Sequence, residues 1–484
     1  MSTTQEQPLD VVGVGLGPFN LGLAALLDPV PGLRARFYDA RDAFSWHPGL
    51  LLEDAEIQVP FLADLVTLAD PTSRHSFLNY LHQHGRLYRF YFRERFHLLR
   101  REFQAYCRWV AEQLESCRFG HRVVDVAEAA DGLWEVHVRG PQGIEVVRAR
   151  QVVLGVGMSP IVPECAARHL ARPGDVGRVD QPDAAGWASA RPAAADGSVL
   201  HSAAYLDHRE RLLAAPSVVV VGSGQSAAEV FLDLLQHGAA ARGPAAGGPA
   251  LEWLTRSRGF LAMEYSKLGL EHFTPEYVDH FHALDESRRD ELRAQQDLLY
   301  KGISAETSAR IFDLLYERGV DGDDPPVAYR ARTELRGLER DGDGWRLTVQ
   351  HLDQERAGER RAAAVVLATG YGAAPLPLAA DLVARDGRGR PQVERDYRLR
   401  RADGAPSRLF VQNAELHAHG VGTPDLGLAA HRNATIVNAI AGRDVYAVRS
   451  RNVFQSFGLD DGDPADAAAA TPLAAPAADR APRG

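Results

Sequence analysis

Val11-Val12-Gly13-Val14-Gly15-Leu16-Gly17-Pro18-Phe19-Asn20-Leu21-Gly22-Leu23-Ala24 is the stretch whose reading decides the fold. An apolar, β-rich run, Val11–Val14, meets two closely spaced glycines and passes directly into a small-residue helical pattern. Gly15 and Gly17 permit a tight turn and a close approach of backbone to a pyrophosphate, which then sits on the exposed N–H groups where the next helix begins. Pro18 follows the second glycine, and Asn20 stands where a third is usual. Turns of this kind also occur for structural reasons alone, so a second sign is needed. Asp39 supplies it: 24 residues beyond Gly15, closing the next strand at Phe37–Asp39, it stands where an acidic side chain takes the ribose hydroxyls.

The pattern returns at Val218–Leu235 as Gly222-Ser223-Gly224-Gln225-Ser226-Ala227 after Val218–Val221. Here the residues after the following strand, Leu251–Leu254, are Arg256 and Arg258. Arginine at this place pairs with a 2′-phosphate, which favours NADPH over NADH; the alternative is a solvated basic loop. Two such units in one chain, FAD first and nicotinamide second, imply hydride transfer from NADPH to flavin. A late strand, Ala364–Ala368, leads into Thr369-Gly370-Tyr371 and reads as the strand returning to the FAD domain. The fold expected is α/β, with two Rossmann-like dinucleotide-binding domains (FAD and NADPH) plus a smaller, mainly helical substrate-binding region. The boundaries expected are 1–204 for the first part of the FAD domain and 205–362 for the NADPH domain, with a helical insertion at about 264–320. Residues 363–455 return to the FAD domain, and 456–484 form a disordered tail.

The remaining patterns fill this frame. Helical spacing dominates from Pro71 to Cys117, and a strand opens Val146–Val162. A helical stretch is expected over Pro275–Arg318, strands near Val327–Leu335 and Trp345–His351, and a last helix over about Ala429–Ala441. Gly238–Pro249 reads as a surface loop, and the Ala-, Pro- and Asp-rich tail after Asp460 has too few large apolar residues to order itself.

At 484 residues, 45% hydrophobic and 24% charged, the chain has the composition of a folded multidomain enzyme. A net charge of −10 with no long basic run argues against nucleic acid as a partner. Mild acidity suits a cationic small molecule, although many cytosolic proteins share it. Met1–Pro8 has no basic start and no apolar signal core, and no stretch approaches the ~20 apolar residues that cross a bilayer, so a cytoplasmic protein without a membrane partner is expected. Cys107, Cys117 and Cys165 form neither a CxxC pair nor a zinc-like spacing, which weakens any disulfide-reductase reading.

Several further segments, taken with the two turns, carry a resemblance. They are Phe44-Ser45-Trp46-His47-Pro48-Gly49, Ile57-Gln58-Val59-Pro60-Phe61-Leu62, Asp64-Leu65-Val66-Thr67 with Asp70-Pro71-Thr72-Ser73, Ser76–Leu81, Ala368–Tyr371, and His419-Gly420 leading to Arg432. Spanning residues 9 to about 445, they make the chain resemble the microbial N-hydroxylating monooxygenases of siderophore biosynthesis, which act on lysine, ornithine or diamines. The resemblance implies FAD and NADPH as cofactors, O2 as co-substrate, and attack of a neutral amine on a C4a-hydroperoxyflavin that the protein keeps dry. It also implies that Trp46, His47, Pro48 and Gln58 line the flavin, with Gln58 as the catalytic candidate near its oxygen-reactive edge. The alternative for Trp46 and His47 is an aromatic and a satisfied histidine in a core loop. No metal is expected: His417 and His419 have HxH spacing, but the resemblance accounts for His419 without one. A homo-oligomer, tetramer or dimer, is implied as well.

Departures from the resemblance bear on the amine. Where ornithine-type enzymes carry a lysine that grips the substrate carboxylate, this chain has Ala63, and where they carry an asparagine before Glu-x-Phe-x-Pro it has Leu270, followed by Glu271. In the late motif a serine is replaced by Gly427 and a neutral residue by Asp425. A site that loses a cationic clamp and gains a carboxylate favours a second ammonium over an α-amino acid head. The expected substrate is therefore putrescine or cadaverine, held by Asp425 with help from Glu271 or Glu264. Lysine N6- or ornithine N5-hydroxylation is the alternative, followed by another flavin monooxygenase or a non-catalytic flavoprotein, and Asp425 also reads as a plain Pro-Asp turn carboxylate.

Overall fold

The computed structural model describes residues 7–170, 191–241, 250–320, 325–449 and 451–459. The tail after Asp460 and most of the expected Gly238–Pro249 loop lie outside the described residues.

Leu9–Val14 is the inner strand of the first sheet, parallel to Ala35–Tyr38 on one side and to the long strand Gly143–Leu154 on the other. Its residues from Val11 onward are buried. This is why an unbroken apolar run, not an alternating one, is the signature of a strand covered on both faces. Helix Pro18–Leu27 covers one face and is covered in turn by Ala429–Ala441. The approach is so close at Gly22 that a Cβ there would lie 2.8 Å from Asn433 Nδ2 of that covering helix. An antiparallel meander, Arg122–Glu128 and Trp134–Gly140, extends the sheet from Gly143–Leu154.

The second sheet is wholly parallel, in the order Val199–His201, Ala364–Leu367, Val218–Val221, Leu251–Leu254, Val327–Arg330. This corrects the expected organisation. Ala364–Leu367 is not the strand returning to the first sheet; it lies beside Val218–Val221, inside the nicotinamide unit. Val199–His201 joins it there, so the expected boundaries at 204/205 and 362/363 each separate a strand from its own sheet. The first sheet receives Leu409–Val411 instead, parallel to Val152–Leu154. Short buried parallel strands all read as continuous apolar runs, and nothing in such a run names the neighbour it will pair with. The two crossings between units run side by side, Tyr371–Ala373 antiparallel to Met158–Pro160.

Other expectations are refined. The run Val327–Leu335 is two strands, Val327–Arg330 and Thr333–Asp341, parted at Arg332 with φ 53°. Pro275–Arg318 is three α-helices, Pro275–Ala283, Glu286–Gln295 and Ala305–Arg318, with a short 3-10 turn at Asp297–Leu299 between the last two. Each has an N-cap side chain that accepts from its first turn, Thr274 from Tyr277, Asp285 from Arg288 and Ser304 from Thr307. Helix Ala429–Ala441 has the expected bounds. The helical insertion folds back onto the first unit: Arg390 binds Asp290 at 2.6 Å, and Tyr277 and Phe281 pack with Val421.

Candidate active site

At the first turn Gly15 has φ 86°, and a Cβ there would lie 2.4 Å from the Gly155 carbonyl oxygen. A Cβ on Gly17 would meet nothing within 4 Å. Space therefore lies over the second glycine, at the helix start whose first N–H groups have no intrahelical acceptor, and this fits a dinucleotide pyrophosphate. Asn20 faces inward. Its Nδ2 donates to the carbonyls of Gly15 (2.8 Å) and Val14 (3.1 Å), and its Oδ1 accepts from Gln412 at 2.8 Å, so it staples the turn to the returning strand. Asp39 is also internally occupied: Oδ2 accepts from Leu16 N at 2.8 Å and Arg41 Nη2 at 2.7 Å, and Oδ1 from Arg41 N and Nε. Burial pushes its carboxyl upward, but the Arg41 guanidinium and the two backbone donors outweigh this and hold it below the usual range.

The second turn is built more tightly. Gly222, at φ 146°, leaves only 2.0 Å between a notional Cβ and the Ala368 carbonyl oxygen, and its own carbonyl accepts from Trp253 Nε1 at 2.7 Å. Gln225 is engaged at both ends, accepting from Ser304 N at 2.8 Å and donating to Thr307 and Glu229. Ser226, half-buried, follows in the same first turn. Arg256 lies open, its side chain 78% exposed and its closest carboxylate, Glu334, 4.0 Å away.

Between the turns, Trp46 lies edge-on to Phe103, with ring centroids 5.1 Å apart, and His47 takes a left-handed φ of 47°. Such a conformation in a non-glycine residue is costly and is held by its surroundings. Pro48 opens a short turn pressed against the second unit, since a Cβ on Gly49 would lie 1.8 Å from the Ala203 carbonyl oxygen. The Tyr371 ring stands 5.9 Å from His47 and 5.1 Å from His201, while Gly370 accepts from His201 and Thr369 donates to Ile161. Gln58 lies on the strand Glu56–Pro60, and its Nε2 is buried with no hydrogen-bond partner among the described residues. A buried donor left over in this way calls for an acceptor, and a flavin ring edge provides one.

Asp425 is half-buried. Its Oδ1 accepts from Gly427 N at 2.6 Å, as a turn carboxylate does. Burial nevertheless pushes its pKa up to about 6, against the Gly427 and Leu428 N–H groups and the Arg432 charge. No lysine or arginine forms an ion pair with it among the described residues; Arg432 is turned to Glu415 at 3.2 Å, both fully buried. Ala63 is buried and brings no charge. The other expected contacts differ. Glu271 accepts from Gln455 N at 2.8 Å and Phe454 N at 3.3 Å, clamping the segment near 455, and Glu264 is exposed and bonded to Ser266 N at 2.7 Å. Leu270 is half-buried in the turn Gly269–His272. His417 and His419 bond separate carbonyls, those of Pro391 (2.7 Å) and Arg395 (3.3 Å).

Three residues escaped sequence reasoning. Arg41 closes Asp39 two positions away, a pairing that the spacing could have suggested. Arg100 crosses between units to grip Glu229 with two bonds of 2.6 Å. Tyr265, on the loop before the insertion helices, donates its hydroxyl to the Gln58 carbonyl. The last two contacts span more than a hundred residues each, and no local pattern marks them.

Comparison with known proteins agrees with this geometry. The model of the L-lysine 6-monooxygenase/L-ornithine 5-monooxygenase family matches residues 7–174 and 186–373. The chain is 44% identical to the rhizobactin siderophore biosynthesis protein RhbE of Rhizobium meliloti, over 93% of this chain and 95% of that one. It is 38% identical to the putrescine N-hydroxylase of Shewanella oneidensis, over 93% and 84% respectively. Among solved structures, the FAD-bound cadaverine monooxygenase DfoA of the Erwinia amylovora desferrioxamine pathway superposes with a TM-score of 0.83 at 37% identity, covering 95% of this chain and all of that one. With two dinucleotide turns, a buried glutamine donor without a partner among the described residues and a family match along most of its length, the chain belongs to the L-lysine 6-monooxygenase/L-ornithine 5-monooxygenase family of flavin-dependent N-hydroxylating monooxygenases.

Proposed function

We propose that the protein uses FAD and NADPH to hydroxylate one terminal amine of an aliphatic diamine, putrescine or cadaverine, for hydroxamate siderophore biosynthesis. The observation that carries the choice of a diamine is Asp425, a half-buried carboxylate with no cation paired to it among the described residues, set against a buried Ala63 that offers nothing to a substrate carboxylate. A half-buried carboxylate that no lysine or arginine side chain pairs among the described residues is a receptor for an ammonium. The similarity to a putrescine N-hydroxylase and a cadaverine monooxygenase supports the same choice.

The flavin, reduced by NADPH, supplies the activated oxygen. The chain does the rest. Gly15 and Gly17 admit the FAD pyrophosphate, and Trp46, His47, Pro48 and Tyr371 wall the ring site. Gln58 Nε2 would donate to an acceptor at the edge of the bound flavin. Gly222, Gly224 and Ser226 hold the second pyrophosphate, and Arg256 takes the 2′-phosphate. Asp425 binds the distal ammonium. The reacting amine, in a site that excludes water, is held neutral because desolvation disfavours its charged form. Hydroxylamine formed per NADPH consumed, compared for putrescine, cadaverine, lysine and ornithine, tests this reading. A diamine is expected to give the highest coupled turnover, and a preference for lysine would overturn it.

A further inference from the structure

Gln58 and Asp425 come from distant parts of the first unit, and Tyr265, from the insertion of the second, reaches the first of them directly. Tyr265 donates its hydroxyl to the Gln58 carbonyl across 207 positions of sequence. Asp425 is close enough that its charge, after burial, helps push the Tyr265 phenol up to about 12. The loop that carries Tyr265 is pinned on its N-terminal side. Met263 N donates to Ile303 O at 2.8 Å, Glu264 N to Leu298 O at 3.0 Å, and Ile303 N to Leu261 O at 3.0 Å. The residue is 39% exposed with its hydroxyl already occupied, so the accessible part is ring.

We propose that Tyr265 is a positioning residue for the amine: its hydroxyl fixes the main chain at Gln58, and its accessible ring offers the wall along which the methylene chain lies. An aliphatic diamine has two cationic ends and an apolar middle. A carboxylate alone anchors one end and leaves the other free to swing; a rigid aromatic surface beside the carboxylate removes that freedom and adds a favourable face for an ammonium. The hydroxyl has a separate task. The Gln58 side chain carries an unpartnered donor, so its aim depends on the backbone beneath it, and a hydrogen bond to that backbone carbonyl holds the aim. Because this hydrogen bond joins the second unit's insertion to the first unit's strand, it forms only when the two units are correctly docked.

The methylene-wall half of the inference rests on the diamine reading; the Gln58 half does not. The test uses full-length, FAD-loaded Tyr265→Phe and Tyr265→Leu, with putrescine, cadaverine and lysine as substrates. The readouts are amine KM and the ratio of hydroxylamine to NADPH consumed, a ratio that does not depend on how much of a preparation is folded. For Tyr265→Phe, which keeps the ring, a diamine KM within about twofold of the parent and a coupling ratio lowered several-fold are expected. Tyr265→Leu is expected to lower the coupling ratio equally and to raise the diamine KM about tenfold. A parent-like coupling ratio in Tyr265→Phe overturns the role of the hydroxyl, and a parent-like KM in Tyr265→Leu overturns the role of the ring. If the parent enzyme prefers lysine while Tyr265→Phe still uncouples, the diamine reading fails and the Gln58 role stands.

Discussion

The two glycine turns share one local pattern and treat charge in opposite ways. In the first, the acidic residue closing the neighbouring strand is internally occupied, Asp39 by Arg41 and Leu16 N, and the third-glycine position is an asparagine that staples the turn to the returning strand. In the second, the turn itself is packed against Ala368, while Arg256 is left open and 78% exposed. A charge already satisfied within the protein builds structure; one held only loosely, as Arg256 is by Glu334 at 4.0 Å, stays available. The same distinction separates Asp39, held below the usual carboxyl range, from Asp425, pushed up to about 6.

The sharpest way to break the comparison is at the glycines. Gly222→Ala forces a Cβ into a carbonyl oxygen at a backbone angle that suits glycine, and is expected to cost on the order of 3 kcal/mol, read as a lowered Tm. Gly17→Ala meets nothing and keeps an ordinary φ of −75°, so the apoprotein is expected to melt as the parent does while its FAD content falls. A Gly17→Ala protein that retains full flavin would place the pyrophosphate elsewhere.

Next is the unpaired carboxylate. Asp425→Asn is expected to raise the diamine KM about tenfold to a hundredfold, the worth of a charged hydrogen bond of ~1.5–3 kcal/mol. The sign with pH follows from the raised pKa: the group is ionised above about 6 and neutral below. The parent's diamine KM should therefore climb as pH falls through 6, and the Asp425→Asn profile should be flat there. Stability moves the opposite way. Because the folded protein keeps this proton up to about 6 and the unfolded chain releases it near 3.8, the empty protein loses stability as pH rises through that window, and Asp425→Asn removes the slope. The smallest effect is at the surface. Arg256→Ala is expected to raise the KM for NADPH roughly fivefold and leave that for NADH unchanged, as suits an exposed contact worth ~1 kcal/mol. An equal change for both nucleotides would remove the 2′-phosphate assignment.

Both turns, their strands and the bounds of the last helix were legible because each depends on residues within one short window: an apolar run, glycines where φ is positive, a small-residue face. Asp425 and Ala63 stood out for the same reason, as single positions inside recognisable motifs. Tyr265 and the Arg100–Glu229 pair did not, because each contact joins distant segments and leaves no spacing to read. Glu271 looked available for substrate in sequence and is occupied in space by the segment near 455.

By itself, then, the sequence located both nucleotide turns with their strands and the last helix, and marked positions 63 and 425 as departures from the family pattern. Only the tertiary structure decided that Ala364–Leu367 joins the second sheet and Leu409–Val411 the first, and which charges are left without partners. The reason is physical. Local backbone preference and periodicity act over a few residues, whereas strand pairing and charge satisfaction depend on partners that folding brings from anywhere in the chain.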